Sequence, residues 1–556
     1  MAAHDYSNTR YSPLAEITAA NIAKLRPAWT FSTSVDRGHE GVPIVADDTL
    51  FIVTPFPNRV IALDVSKPGA TIKWTFDPKP DPGAQGVACC DAVNRGAVYN
   101  GGRLFFDTLD NQVIALDAAN GKEIWRVRLG NFTSGQSMTM SPIVVKGQVL
   151  VGTSGAVFGV RGFIAAIDAG KGRETWRAWS TGPDEDVHIG QGFSPYYAAD
   201  RGTDLGVSTW PPDAWKSGGG TVDGWLSYDA ELDLVFHGTG RPAPRNPLQR
   251  PGANKWTSAL FARRPATGDA VWAYQMSPND RHGYDGSNEN VLVELPLAGR
   301  QRKLMLHPDG NGHIYVIDRA SGELLSADPF VFVSTSQGVD LASGALGYRA
   351  HQPPPAGRVV RDSCPGSAGA KNWQPGAWSP RTRLLYLPVQ NLCDDTAFFA
   401  ASQIAGTPYL GAEAKMHPHS GEPRGAFIAW DPIARRKVWS IAERFPVWSG
   451  ALATAGDLVF YGTMDGWLKA VDARNGRELW KHKTISGIVG QPMSYRGGDG
   501  HQYIAVLAGV GGWAGLIVSN ALDARDGTAA GGFVNAMKDL PKVTGKGGML
   551  YVFRIP

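Results

Sequence analysis

Hydrophobic and polar positions alternate along most of this chain in short runs, and the runs end on an Asp, a small turn and then a Trp. Ala62-Leu63-Asp64 leads to Trp74, Ala115-Leu116-Asp117-Ala118-Ala119-Asn120-Gly121 to Trp125, and Ala166-Ile167-Asp168 to Trp176. The pattern returns at Ala266-Thr267-Gly268 before Trp272, at Ala429-Trp430-Asp431 before Trp439, and at Ala470-Val471-Asp472-Ala473-Arg474-Asn475-Gly476 before Trp480. A degenerate copy is Val316-Ile317-Asp318-Arg319-Ala320-Ser321-Gly322. Alternation predicts strands, and Asn-Gly or Ser-Gly supplies the positive φ of a hairpin turn. Self-similarity at about 40 to 50 residues is the sequence sign of radially repeated sheets. The chain is therefore expected to be all-β, an eight-bladed β-propeller that forms a single domain over residues 1–556. The repeated tryptophans are assigned to packing between blades, where one indole buries about 150–250 Å². Closing the ring brings early and late segments together, with Asn8-Thr9-Arg10-Tyr11-Ser12-Pro13-Leu14 and Leu550-Tyr551-Val552-Phe553 as candidate partners. The stretch from Ile17 to Leu25 has helical spacing and a possible Thr18 cap, and predicts a short surface helix.

Composition narrows the function. With 556 residues the chain exceeds the range of one simple core, while 43% hydrophobic and 19% charged residues mark a folded protein. A net charge of +3 and the absence of any Lys/Arg run argue against a nucleic-acid surface. No stretch approaches the roughly 18 apolar residues of a membrane span. Met1-Ala2-Ala3-His4 carries neither a basic nor an apolar leader region. Either a signal peptide has been removed, which makes the protein periplasmic or secreted, or the protein is cytoplasmic. The four cysteines, Cys89, Cys90, Cys364 and Cys393, lack metal-binding spacing, so two disulfides fit better than zinc. The adjacent pair Cys89-Cys90 can bond only through a strained ring. It is read either as a bridge that serves a site or as two free buried thiols.

Six motifs run nearly end to end: Asn8–Leu14, Gly38-His39-Glu40-Gly41-Val42-Pro43, Cys89-Cys90-Asp91, Ser154-Gly155 with Phe158-Gly159-Val160-Arg161-Gly162, Trp448–Gly456 and Gly509-Val510-Gly511-Gly512-Trp513. Together they resemble the pyrroloquinoline quinone (PQQ) alcohol dehydrogenases, above all the large subunit of the calcium and lanthanide methanol dehydrogenases. The resemblance implies a quinoprotein-like propeller whose axis holds PQQ beside a metal ion, a periplasmic location and a homodimer. It also implies a vicinal Cys89–Cys90 disulfide and a Cys364–Cys393 bridge. Glu40, Cys89, Cys90, Arg95 and Thr139 stand at cofactor-binding positions of the family, and Gln390 at that of an Asn.

Other family positions are replaced. Val157 stands for a metal-binding Glu, Arg241 for a metal-binding Asn, Gly283 for the catalytic Asp, Gly310 for an assisting Arg, and Asp223 for the Trp that stacks on the quinone. Only Asp285 remains to hold a cation, too few ligands for calcium or a lanthanide. The resulting expectation is an enzyme with neither PQQ nor metal. Asp223, Arg241, His282 and Asp285 would line one axial cavity and perform non-redox acid/base chemistry, such as elimination, isomerisation, cyclisation or hydrolysis, on a small organic substrate. Two alternatives stand beside it: a PQQ-dependent alcohol dehydrogenase with an atypical, metal-free site, and a non-catalytic propeller that binds a small molecule.

Overall fold

The computed structural model describes residues 1–88, 90–297, 299–349 and 358–556. Among these residues, strands assemble into seven four-stranded sheets and one five-stranded sheet, with a two-stranded and a three-stranded sheet beside them. In the sheet of Ile44–Ala46, Thr49–Val53, Val60–Asp64 and Thr71–Phe76, chain order is spatial order and every pairing is antiparallel. Burial grades along it. Thr49–Val53 is buried throughout, whereas Thr71–Phe76 alternates between exposed and half-buried positions. A strand buried on both faces packs between neighbouring sheets, and the last strand meets water. The apolar clusters accordingly lie between sheets: Phe105 and Val113 pack with Val149, Phe163 and Val235 from the next two sheets.

The tryptophans join one sheet to the next. The indole Nε1 of Trp74 donates to the Ala118 carbonyl at 3.1 Å, Trp125 to Ala169 at 3.0 Å, Trp176 to Pro265 at 3.0 Å and Trp272 to Arg319 at 3.1 Å. Each ring lies over the glycine of the turn it bonds. A Cβ on Gly121, at φ +72°, would fall 2.5 Å from Trp74 Cε3. The glycine is thus required twice, by its dihedral and by the ring above it.

Closure differs from the expectation in its partners. Met549–Arg554 pairs antiparallel with Arg26–Ser32, so a strand from each end of the chain completes one sheet. The earlier segment Tyr11–Ser12 pairs instead in parallel with Ala451–Thr454. The surface helix is reduced to a 3₁₀ turn at Ile22–Lys24 with no side-chain cap. Asn21 Oδ1 accepts from the Thr18 backbone N–H at 2.8 Å and closes a tight turn, while Ile17, Ile22 and Leu25 are buried against Phe460 and Phe553. Cys364 and Cys393 form a disulfide across 29 residues. Cys90 is disulfide-bonded; Cys89 lies outside the described residues. Among the described residues, no helix is long and apolar enough to cross a membrane.

Candidate active site

One cavity is walled by loops and short helical turns that connect the strands of several sheets. Glu40 enters on the Gly38–Pro43 loop, where backbone meets backbone: a Cβ on Gly38 would fall 2.2 Å from Gly511 Cα. Arg95 enters on a turn that Asn94 braces, its Oδ1 accepting from Gly96 N–H at 2.8 Å. From that turn Arg95 Nε reaches Glu40 Oε2 at 3.1 Å, and Nη1 donates to Thr139 Oγ1 at 3.3 Å and to the Asp223 carbonyl at 2.8 Å. Its guanidinium lies 4.6 Å from the ring centre of Trp373. Burial, only partly offset by Arg95, pushes the Glu40 carboxyl up to about 7.

Across the cavity Arg241 and Asp285 form a two-point pair. The Arg241 backbone N–H donates to Asp285 Oδ1 at 2.9 Å, and its Nη1 to Oδ2 at 2.8 Å. Asp223 lies between this pair and Arg95. Burial and the Asp285 charge raise its pKa, against Arg95 and Arg241. Asp91, Ser154, Val157, Trp448 and Trp513 complete the wall.

Asp223, Arg241 and Asp285 therefore share a cavity with Glu40, Cys90, Arg95 and Thr139. His282 does not join them. It lines a separate cavity with Arg281, Tyr348 and Arg361 and stacks on Tyr284 at 5.3 Å, and burial beside Arg245 and Arg281 pushes its pKa down to about 3. The reason is local: Gly283 takes φ +90°, and the chain turns between His282 and Asp285. Gln390 lines a third cavity, with Cys393 and His419, and neither atom of its buried amide has a partner. The resemblance already drew on the motifs that contain Ser154, Trp448 and Trp513, but their place in the site went unread. Arg245 and Ser367, which line the adjoining chamber with Gly283, carried no signal in the sequence.

The family pattern described as PQQ: Glucose/ethanol/alcohol dehydrogenase, beta-propeller domain, matches residues 1–327 and 425–504. The chain belongs to this family of PQQ-type dehydrogenases and is a β-propeller of that kind. Among its relatives is the lanthanide-dependent methanol dehydrogenase of Methylacidiphilum fumariolicum, 45% identical over 99% of this chain and 91% of the relative. Subunit 1 of the cytochrome c methanol dehydrogenase of Paracoccus denitrificans is 42% identical over 100% of this chain and 90% of the relative. The structure of a europium-containing methanol dehydrogenase superposes with a TM-score of 0.98 at 45% identity, covering 100% of this chain and 97% of that one.

These findings overturn the expectation of a cofactor-free, non-redox acid/base enzyme. The relatives are dehydrogenases matched along 99–100% of this chain. The donor set fits the quinone, a planar tricarboxylate. Arg95 offers a cation held in place by Glu40, Thr139 and Trp373, and the buried Trp448 Nε1 has no partner within the protein. The same set does not fit a metal. Val157 brings no oxygen, and Arg241 engages both oxygens of Asp285. Among the described residues, no cluster of three ligating side chains lies in this cavity.

Proposed function

We propose that this protein is a PQQ-dependent alcohol dehydrogenase, a single eight-bladed propeller over residues 1–556. The eight sheets of four or five strands support that blade count. Supported by the Cys364–Cys393 disulfide and the family, we place it in the periplasm, as a homodimer acting on a small-molecule alcohol.

The observation that carries this reading is the arrangement of Arg95 on Glu40, Thr139 and Trp373, facing the unpartnered Trp448 indole. Arg95, Thr139 and Trp448 would hold the quinone, which when bound accepts two electrons and two protons from an alcohol. The chain's own residues arrange the substrate. Asp223, its pKa raised by burial and by Asp285, is the carboxylate placed to take the hydroxyl proton at its Oδ. Arg241, fixed on Asp285, presents a guanidinium to the oxygen that gains negative charge.

The test is reconstitution. Purified protein mixed with PQQ should take up the quinone, seen as its absorbance co-eluting with the protein, and should then reduce a dye with primary alcohols. Asp223→Asn should keep the quinone and lose about 10²-fold in rate. A protein that binds no quinone, or an Asp223→Asn variant at full rate, would refute the assignment.

A further inference from the structure

Three side chains converge at van der Waals distance around Gly283, in the wall of a chamber that adjoins the site. A Cβ on Gly283 would lie 3.5 Å from Arg241 Cδ, 3.6 Å from Arg245 Nε and 3.6 Å from Ser367 Cβ. The gap above Gly283 is therefore bounded by two arginine side chains and a serine. Arg245 is anchored from the far side, its Nη2 donating to Asp394 Oδ2 at 2.9 Å and to Thr396 Oγ1 at 3.2 Å. Its Nε, on the side of the gap, is buried without a partner. A buried N–H left unpaired is costly, and an anionic oxygen is the strongest acceptor it can be offered.

Of the neighbouring anions, Asp223 faces the reacting carbinol and Asp394 keeps one buried oxygen, Oδ1, without a partner, while the remaining contacts are taken. Asp285 holds Arg241, Asp394 holds Arg245, and Asp280 accepts from the backbone N–H groups of Gly283 and Tyr284. Glu413 is exposed. The gap opens on a further, mostly apolar cavity walled by Phe158, Pro242, Tyr409, Leu410 and Trp513, which shares Val157, Arg241 and Ser367 with the quinone pocket. A cationic donor, Arg245 Nε, at the base of an apolar chamber fits a ligand with an anionic end and an apolar body.

We propose that the gap over Gly283, between Arg241, Arg245 and Ser367, binds the carboxylate of the substrate, which is an alcohol carrying both a carboxylate and an apolar body. This rests on the dehydrogenase reading and names the substrate class for that site. The carboxylate only anchors the molecule, and no bond to it forms or breaks while the carbinol is oxidised.

The experiment is calorimetric titration of the PQQ-loaded protein with 4-(hydroxymethyl)benzoate and with benzyl alcohol, the same body with and without the anion. The carboxylate should bind about 10-fold tighter or more, as a charge-assisted contact to a shielded guanidinium implies. Ser367→Asp, which sets the chain's own carboxylate in the gap, should abolish the preference. So should Arg245→Lys, which keeps a cation near Asp394 but removes the Nε–H. Equal affinities in the parent protein would overturn the proposal, and so would a preference that survives in both variants. A preference seen only after PQQ is stripped would also overturn it, because the gap would then serve a carboxylate of the cofactor. Binding is read without turnover, so a failure of the redox reading registers separately, as absent quinone reduction.

Discussion

Arg241 and Asp285 act on Asp223 in opposite senses although they are bonded to each other. Asp285 raises the Asp223 pKa and Arg241 lowers it, with burial the largest cause of the net rise. A base works when ionised, so the rate falls as pH drops through its pKa. Removing the cation in Arg241→Gln should move the acid limb of kcat/KM to higher pH, and removing the anion in Asp285→Asn should move it to lower pH. Limbs that move together, or that stay in place in a dye-linked pH profile, would show that Asp223 is not the group that titrates. The family resemblance sufficed to bring Glu40, Arg95, Thr139, Asp223, Arg241 and Asp285 to one cavity, because each sits on a loop whose place follows from the order of the repeated sheets. It failed at His282, because the left-handed Gly283 turns the imidazole toward another cavity. It could not find Arg245, whose open Nε is set by Asp394 and Thr396, about 150 residues away in sequence.

At the level of elements, the contact between an indole and a turn glycine makes the sheets register with one another. Gly121→Ala would strain a backbone at φ +72° and drive a methyl into the Trp74 ring, 2.5 Å from Cε3. A cost of about 2–3 kcal/mol is expected, from overpacking plus the forced left-handed conformation. In a Trp74→Leu background the same change should cost less, since the ring is gone and only the dihedral penalty stays. Urea unfolding of the four proteins in this cycle measures the coupling. Additive effects would mean that the ring and the glycine do not meet. This part of the fold was legible because strand, turn and Trp recur together and each copy repeats the same local chemistry. The accessory sheets were not. Val359–Ser363, Leu392–Phe398 and Ala412–Pro418 pair with one another outside the repeat, and the sheet of Ser336–Val339 with Leu346–Tyr348 interrupts it, so no periodicity announced either.

Across the whole molecule the N-terminal segment ties together sheets that are distant in sequence. The carbonyls of Tyr6, Ser7, Thr9 and Arg10 accept in turn from the backbone N–H groups of Tyr228, Leu292, Trp378 and Ala453. Each donor sits on the first strand of its sheet, or beside the added strand in the last case: Ser227–Asp229, Val291–Leu297, Ala377–Ser379 and Ala451–Thr454. Five residues thus cross four successive sheets. The alternating pattern could mark Asn8–Leu14 as a closing segment but not this path, because its bonds use backbone groups that leave no trace in side-chain identity. Arg10 fixes the segment from within. Its side chain is fully buried, with Nε donating to Gln491 Oε1 at 2.7 Å, Nη1 to the Asn8 carbonyl at 3.1 Å and the guanidinium 4.5 Å from the Trp225 ring centre. Arg10→Ala removes the bonds and the cation–π contact and leaves a buried Gln491 oxygen unpaired, a loss of about 3 kcal/mol. Arg26→Ala, at an exposed position of the terminal strand pair, should stay within about 0.5 kcal/mol of the parent. Because Arg10 lies outside the quinone pocket, folded Arg10→Ala protein should still take up PQQ while its urea midpoint falls. A midpoint equal to that of Arg26→Ala would show that the sheets hold together without this tie.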